Sequence, residues 1–166
     1  MCAKFSVTAA RAVVLHEGSV LLMGRRKNGL RYFAFPGGHI KEAETPEAAL
    51  LRELREETTL NCAVERLLYV VHLEHRKETH LYYLVRLRGI RVLPELSPES
   101  AEYQLNATGT QAYTPQWVKL TDLPNVNCLP APVARALAKD AAQGLPASRR
   151  EIVVTDAEDH VDSTTL

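Results

Sequence analysis

Apolar and turn-forming positions divide the first part of the chain into short segments. Residues 8–15 are rich in alanine and valine and predict a buried strand, and a turn at 16–19 separates them from the apolar run at 20–23. These two runs predict a β-hairpin. A basic loop follows at 25–29, and residues 32–35 predict a short strand that ends in a Pro-Gly-Gly turn.

The segment after this turn carries the signals of a helix start. Thr45 is a favourable N-cap, Pro46 suits the first helical position, and the carboxylate of Glu47 complements the positive end of the helix. An apolar stripe for packing on a sheet follows at Leu50, Leu51 and Leu54.

The second half of the chain predicts further strands, a long loop and a second helix. Residues 61–75 and 80–93 predict two longer strands, and residues 94–109 predict a long loop. Residues 113–120 predict a strand, and residues 129–143 predict a helix rich in alanine and leucine. The order of these elements predicts an α/β protein in which a mixed sheet carries a helix on each face.

The composition changes near residue 145, and this change predicts a domain boundary. Residues 1–145 contain the apolar segments of one domain, and residues 146–166 predict a C-terminal tail. Within the tail, residues 149–154 favour a short strand, and the polar, acidic residues 155–166 predict disorder.

Composition and charge restrict the class of protein. A length of 166 residues, 46% of them apolar and 24% charged, is typical of a single globular domain. Lys and Arg together equal Asp and Glu in number, and the resulting net charge of zero disfavours a nucleic-acid partner. Three scattered cysteines, no apolar run of membrane length and no apolar N-terminal segment predict a cytoplasmic protein without membrane contact.

The predicted first helix carries the most informative chemistry. Glu53, Glu56 and Glu57 are spaced i, i+3 and i+4, so a helix places their carboxylates on one face, with Ala49 near the centre of that face. Like charges at this spacing repel each other by about 0.2–0.5 kcal/mol per pair. A hard divalent cation such as Mg²⁺ converts this repulsion into coordination. The pattern therefore indicates a metal site that serves a phosphate substrate.

The residues around these glutamates extend the pattern into a known motif. The spacing Gly-x5-Glu-x7-Arg-Glu-Leu-x-Glu-Glu, which starts at Gly38, resembles the Nudix box of the Nudix hydrolases. The match covers residues 38–60, and Thr59 stands where the family usually has Gly. The resemblance implies a Nudix-like α/β/α sandwich with a mixed sheet. It also implies an enzyme that cleaves nucleoside diphosphates linked to another group.

The same resemblance implies a metal site of known composition. In the family, the glutamates of the box bind one or more Mg²⁺ or Mn²⁺ ions, and a glycine carbonyl of the preceding loop supplies another oxygen. Carried over to this chain, the implied metal ligands are Gly37, Gly38, Glu53, Glu56 and Glu57.

The catalytic assignments implied by the box leave alternatives open. Glu53 is the first candidate for the general base that takes a proton from water, and Glu56 and Glu57 are the other candidates. Arg52 either holds a glutamate of the site or forms an ordinary surface pair with Glu56. Glu44 either binds the metal or contacts the residues that bind it, or it is a carboxylate that complements the positive end of the helix.

Candidate substrate contacts precede the box. Arg25 and Arg26 lie near the expected cleft and are candidates for phosphate contacts, although basic runs also serve solubility. Phe33 is a candidate for stacking on a base, and core packing is the alternative. In the long loop, Glu99 and Glu102 are both available as a distal metal ligand, and the sequence does not decide between them or exclude that neither is used.

These residues predict a Mg²⁺- or Mn²⁺-dependent Nudix pyrophosphatase with a small nucleotide substrate, a nucleoside triphosphate in first place. The motifs that mark the family's ADP-ribose, dinucleoside polyphosphate and coenzyme A hydrolases are absent from their expected positions. The alternative is a non-catalytic nucleotide-binding protein or an RNA-related Nudix protein. The neutral net charge disfavours the second of these, because RNA-binding proteins usually carry an excess of positive charge. A monomer and a homodimer are equally compatible with the sequence.

Thr59 raises a conformational question. A glycine at this position suits a helix that ends through a left-handed residue, whereas a β-branched threonine disfavours positive φ. We therefore expect the turn to shift, so that Asn61 adopts the left-handed conformation and Thr59 avoids the strain.

Overall fold

The computed structural model describes residues 5–89, 92–109 and 111–159. In these residues the chain forms nine β-strands and three α-helices, none of which is long and apolar enough to cross a membrane. The strands are β1 (Ser6–His16), β2 (Ser19–Lys27), β3 (Leu30–Ala34), β4 (Gly37–His39), β5 (Cys62–Leu73), β6 (Glu78–Leu87), β7 (Gln111–Lys119), β8 (Cys128–Leu129) and β9 (Arg150–Val154). The α-helices are α1 (Pro46–Thr58), α2 (Ala101–Ala107) and α3 (Ala131–Gln143), and short 3₁₀ turns occur at Leu123–Asn125 and Asp156–Glu158.

The strands form one mixed sheet, which confirms the predicted class. Its order is β8-β3-β2-β1-β6-β5-β9, with β4 paired to β1 and β7 paired to β2. β1 and β2 form the predicted antiparallel hairpin, whereas β1 pairs with β6, and β5 pairs with β9, in parallel. The hairpin pairs Leu15 with Val20 and His16 with Ser19 only. Beyond these pairs β1 and β2 separate and join different neighbours.

The side chains of β1 alternate between two helical layers. Ala12 and Val14 pack in one apolar cluster with Leu54 of α1. Val13 packs in a second cluster with Leu137 of α3. Because successive side chains of a strand point to opposite faces, α1 and α3 cover opposite faces of the sheet. This arrangement is the α/β/α sandwich that the sequence predicts.

The start of α1 also agrees with the sequence. The hydroxyl of Thr45 accepts a hydrogen bond from the backbone N–H of Ala48 at 3.2 Å, and Pro46 occupies the first helical position. The cap fixes the first turn of the helix whose next two turns carry the glutamates.

The chain beyond residue 145 contributes to the same sheet. β9 pairs with β5 over five residues, and the side chains of Thr155 and Glu158 form a capping box at the following 3₁₀ turn. The sequence predicts disorder over residues 155–166, and this was wrong for residues 155–159, which form the capped turn. Residues 160–166 lie outside the described residues. The division into a domain at 1–145 and a tail at 146–166 stays a prediction.

The predicted long loop at 94–109 contains a helix that the sequence analysis missed. α2 begins after Ser100, whose hydroxyl accepts a hydrogen bond from the N–H of Tyr103 at 3.1 Å. The side-chain amide of Asn106 then makes two hydrogen bonds with the backbone of Tyr113, which attaches α2 to β7. With seven residues, α2 is too short to show a helical period, and its attachment to β7 depends on tertiary contacts.

The expectation for Thr59 was wrong. Thr59 itself adopts the left-handed conformation, with φ 55° and ψ 9°, and Asn61 is not among the positive-φ residues. The Thr59 N–H donates to the carbonyl of Arg55 at 3.1 Å, and its hydroxyl donates to the carbonyl of Thr58 at 2.7 Å. The next residue, Leu60, is 1% exposed, so a shifted turn would remove it from the core. Burial of Leu60 therefore outweighs the strain at Thr59.

We expect Thr59→Gly to raise the free energy of unfolding by about 1 kcal/mol. Glycine relieves about 1–3 kcal/mol of backbone strain in the folded state. It also lowers stability by about 0.5–1 kcal/mol, because glycine loses more conformational entropy on folding, and the relief of strain is the larger effect. Chemical denaturation monitored by circular dichroism measures the change. Thr108→Gly is the matched control, because Thr108 ends α2 at φ −76° and also donates its hydroxyl to a backbone carbonyl. The control should be destabilised, and equal effects of the two substitutions would show that Thr59 stores no strain.

Candidate active site

The glutamate face of α1 lies against β4, which begins with Gly37 and Gly38. The backbone N–H of Gly37 donates a hydrogen bond to Oε2 of Glu57 at 2.7 Å. A Cβ atom added at Gly38 would lie 2.5 Å from the carboxyl carbon of Glu53. The Gly-Gly segment therefore donates a backbone hydrogen bond to Glu57 and, at Gly38, approaches the Glu53 carboxylate more closely than a residue with a side chain could.

Arg52 links three of the predicted site residues. Its guanidinium donates to both carboxylate oxygens of Glu44, at 2.7 and 3.0 Å, and to Oε1 of Glu53 at 2.6 Å. Its contact with Glu56 is longer, at 3.7 Å. We call Arg52, Glu44 and Glu53 the Arg52 clamp. Hydrogen bonding from Arg52, and then from the Lys41 N–H, lowers the pKa of Glu44 to about 2, so this carboxylate stays charged at neutral pH.

Glu57 is the most unusual ionisable group of the site. Its side chain is only 2% exposed, and burial raises its pKa to about 7. The Gly37 N–H and the nearby guanidinium groups of Arg25 and Arg11 oppose this increase in pKa. A buried carboxyl group in this position is more stable with a proton or a bound cation than as a bare anion.

Residues 25–27, which the sequence predicts as part of a loop, instead extend β2 and pair with β3, so the loop prediction was wrong for them. Arg25 lies at the site and Arg26 lies away from it. A guanidinium nitrogen of Arg25 lies 3.9 Å from Oε1 of Glu57, and the guanidinium stands 5.6 Å from the ring centre of Tyr113. Its Nε is buried and has no hydrogen-bond partner among the described residues. Arg26 alternates with Arg25 along β2 and therefore points to the opposite face of the sheet. Arg25 is thus available to an anion at the carboxylates, and Arg26 is not.

Phe33 lies on the same face as Arg26. Phe33 is paired with Gly24 across the β2–β3 ladder and packs against the cluster that contains α3. Together with Arg26 and Asn127 it lines a cavity of about 530 Å³ on that face. The structure therefore does not bring Phe33 or Arg26 to the carboxylates.

Arg11 is a site residue that the sequence analysis missed. It is paired with Gly37 across the β1–β4 ladder, and its guanidinium donates a hydrogen bond to the Gly37 carbonyl oxygen. A single arginine within the otherwise apolar run at 8–15 was the available signal. Of the two distal candidates, Glu102 is the one whose charge acts on Glu57, where it raises the pKa.

The donor set fits a hard divalent cation. Within the described part of the chain, no three His, Cys, Asp or Glu side chains already converge as a closed metal cage. In this arrangement Arg52 holds Glu44 and Glu53, while the Gly37 N–H holds Glu57. All candidate ligand atoms are oxygens, so Mg²⁺ or Mn²⁺ suits them better than zinc.

Three histidines, His72, His75 and His80, contact side chains other than the α1 glutamates. His72 contacts Thr79 and Glu151, His75 contacts Asp159, and His80 contacts Glu78.

Comparison with known proteins identifies the family. The chain matches the NUDIX domain over residues 6–139 and therefore belongs to the NUDIX family. It is 38% identical over 63 residues to an ADP-ribose pyrophosphatase of Methanocaldococcus jannaschii. This match covers 37% of either protein, so it spans little more than a third of the relative's length.

Solved structures show the same fold. An ADP-ribose pyrophosphatase of Streptococcus suis superimposes with a TM-score of 0.59 at 20% identity, over 87% of this chain and 96% of that one. The E. coli ORF135 protein gives a TM-score of 0.63 at 17% identity, over 89% and 99%. A MutT protein of Methanosarcina mazei gives 0.62 at 18% identity, over 86% and 98%.

We expect the metal-free protein to lose stability between pH 5 and pH 8 because of Glu57. The folded state holds the Glu57 proton up to pH 7, above its ordinary pKa of 4.5. The contribution is therefore fully present below the unfolded pKa and is lost as the pH rises through the folded pKa. Between these pH values the wild type should lose about 2–3 kcal/mol of its free energy of unfolding. In EDTA, Glu57→Gln should remove this pH dependence.

Urea denaturation at pH 5, 6.5 and 8 measures this difference. Glu56→Gln is the matched control, because the Glu56 side chain is 41% exposed and lies on the same helix face. A Glu57→Gln profile that runs parallel to that of the wild type would show that Glu57 titrates normally.

Proposed function

We propose that this protein is a divalent-metal-dependent pyrophosphatase that hydrolyses a nucleoside diphosphate derivative. The observation that carries the proposal is the contact of the α1 glutamate face with the Gly37–Gly38 turn, fixed by Arg52 and Glu57. On an ordinary solvent-exposed helix face, carboxylates at this spacing repel each other and have no fixed partners. Here Glu57 is bonded to the backbone of Gly37, and Glu53 is bonded to Arg52. The NUDIX family membership supports hydrolysis of a phosphoric anhydride bond.

Glu53, Glu56 and Glu57 are the residues that would hold Mg²⁺ or Mn²⁺, with Gly37 or Gly38 as the source of a carbonyl oxygen. When bound, such an ion neutralises charge on the phosphates and lowers the pKa of a coordinated water.

The remaining roles belong to this chain's own groups. Arg52 engages Oε1 of Glu53, so we assign the proton of the attacking water to Oε2 of the same carboxylate. Glu44 fixes Arg52 through two hydrogen bonds and thereby orients Glu53. Arg25 and Arg11 lie beside Glu57 and would contact the phosphate oxygens of the substrate.

The substrate proposal starts from a nucleoside triphosphate and includes ADP-ribose. The first comes from the sequence, which lacks the motifs of three other substrate classes. The second comes from two similar proteins that are named ADP-ribose pyrophosphatases. A panel of nucleoside triphosphates, ADP-ribose and UDP-sugars, assayed with and without Mg²⁺, tests the proposal. A protein that only binds nucleotides would release no product from any of them.

We expect Glu53→Gln and Glu57→Gln each to lower kcat by at least about a hundredfold, the scale of a lost general base or metal ligand. Steady-state assay of product release at saturating Mg²⁺ measures the loss. Glu47→Gln removes an exposed carboxylate from the first turn of the same helix and serves as the control. If both site variants keep rates near that of the control, the reaction does not use this face of α1.

Metal removal gives an independent test. We expect EDTA to abolish activity and Mg²⁺ or Mn²⁺ to restore it, because the candidate ligands are all oxygens. Dialysis against EDTA followed by titration of each metal into the assay measures recovery. Restoration by Zn²⁺ alone would contradict the assignment to the glutamates.

A further inference from the structure

A cavity on the face of β2 that points away from the carboxylates is not used by the proposed reaction. It has a volume of about 530 Å³, within the range of about 300–1,000 Å³ that is usual for small-molecule sites. Residues of β2, β3 and β7 line it, together with Val126 and Asn127. Arg25 and Tyr32 also border it, but strand alternation directs their side chains to the other face. We call this cavity the outer pocket.

The strand ladders arrange the side chains of the outer pocket in two rows across the sheet. In one row, Arg31 of β3 is paired with Arg26 of β2. In the other row, Phe33 is paired with Gly24, and Gly24 is paired with Thr114 of β7. Two residues along a strand separate the rows, which is a distance of about 7 Å. One end of the outer pocket is therefore cationic, and the other end is aromatic and uncharged.

The cationic row lacks a countercharge. Arg26 and Arg31 are both exposed, and like charges directly opposite each other on neighbouring strands destabilise a sheet. No Asp or Glu is among the described residues that line the outer pocket. A bound phosphate group would relieve the repulsion, because its oxygens accept the paired hydrogen bonds that guanidinium groups donate.

The second row brings an aromatic ring and a side-chain amide to the same point. A Cβ atom at Gly24 would lie 3.6 Å from a ring carbon of Phe33 and 2.6 Å from Nε2 of Gln116. Both side chains therefore occupy space that a residue larger than glycine would take, and Thr114 adds a hydroxyl group beside them. An aromatic ring stacks on a nucleobase, and amide and hydroxyl groups bond to the donors and acceptors of its edge.

The two rows together match a nucleotide. Their spacing of about 7 Å is comparable to the separation between the base and the 5′-phosphate of a mononucleotide. A second copy of this chain fits the same face less well. A two-fold contact uses the same surface of both copies, so it would bring both cationic rows into one interface.

We propose that the outer pocket binds a nucleoside 5′-phosphate, with the phosphate on Arg26 and Arg31 and the base against Phe33 and Gln116. This molecule would be a second ligand, distinct from the one that is cleaved, because it lies on the face of β2 opposite to the α1 glutamates. The proposal goes beyond the proposed function and does not depend on it, since binding at this face requires no metal and no turnover.

Direct binding tests the proposal. Isothermal titration calorimetry is carried out in EDTA, which withholds the cation that a nucleotide at the carboxylates would use. The probes are AMP, GMP, CMP and UMP, with ribose 5-phosphate and the four nucleosides as partial ligands. We expect at least one nucleotide to bind at least about tenfold more tightly than ribose 5-phosphate or its own nucleoside, the scale of one stacked base or one charge-assisted contact.

Arg31→Gln places the phosphate in the outer pocket. We expect it to weaken the bound nucleotide at least about tenfold, the scale of a lost charge-assisted hydrogen bond. Arg31 is exposed, so the variant should fold, and a thermal melt checks this. Arg86→Gln makes the same charge change at a position 67% exposed on β6 and should leave binding unchanged.

Gly24→Ala separates the base contact from the phosphate contact. The added methyl group would displace the Gln116 amide, which is the end of a flexible side chain. We expect the affinity for the nucleotide to fall toward that for ribose 5-phosphate, and the affinity for ribose 5-phosphate to stay unchanged. Gln116→Ala removes the amide without a change in the backbone of β2, and it should have the same effect.

Three results would overturn the proposal. One is that no nucleotide binds, and another is that the nucleotide binds equally to the Arg31→Gln and Arg86→Gln proteins. The third is that ribose 5-phosphate binds as tightly as the nucleotides, which would leave a phosphate site without a base contact. Sedimentation of the free protein completes the test, because a dimer that dissociates in Arg31→Gln would assign this face to a second copy of the chain.

Discussion

The hydrogen bond from the Gly37 N–H to the Glu57 carboxylate determines the geometry of the site. It joins Gly37, the first residue of β4, to the last turn of α1 at a distance of 2.7 Å. Gly37 also lies close to β1, because a Cβ at this position would come within 2.3 Å of the carbonyl oxygen of Ala10. Backbone packed on backbone therefore sets the separation between sheet and helix, and the positions of Glu53 and Glu57 follow from that separation.

This arrangement places carboxylates where folding alone would not put them. Burial of Glu57 is unfavourable for its charged form, and Glu53 and Glu44 would repel each other without a cation between them. Arginines compensate at three points: Arg52 between Glu44 and Glu53, Arg25 beside Glu57, and Arg11 on the Gly37 carbonyl. Each guanidinium contacts at least one oxygen atom that, under the proposed function, would bind the cation. The same contacts therefore stabilise the free protein and prepare an exchange of partners on binding.

The sequence predicted those parts of the fold that depend on interactions between residues close together in the chain. The Thr45 cap, the hairpin and the two helical layers depend on side-chain period and capping chemistry, and all are present. The glutamate face of α1 was predictable for the same reason. Arg11 was not identified, because its importance depends on pairing of β1 with β4, a contact between residues 26 positions apart. The sequence also did not show which face of β2 and β3 meets the carboxylates, and the assignment of Arg26 and Phe33 to substrate contacts stays a prediction.

The end of α1 shows why strain at Thr59 is compatible with a rigid site. The segment that precedes α2 covers the exposed carbonyls of the helix end: Ser97 donates to Glu56 at 2.8 Å, and Glu95 donates to Thr58 at 2.9 Å. α2 then bonds to Tyr113, whose ring lies beside the guanidinium of Arg25. A continuous set of contacts thus runs from the strained helix end to an arginine beside the carboxylates. Since these contacts fix the backbone that leads into Thr59, the helix end keeps one conformation without the glycine that the family usually has there.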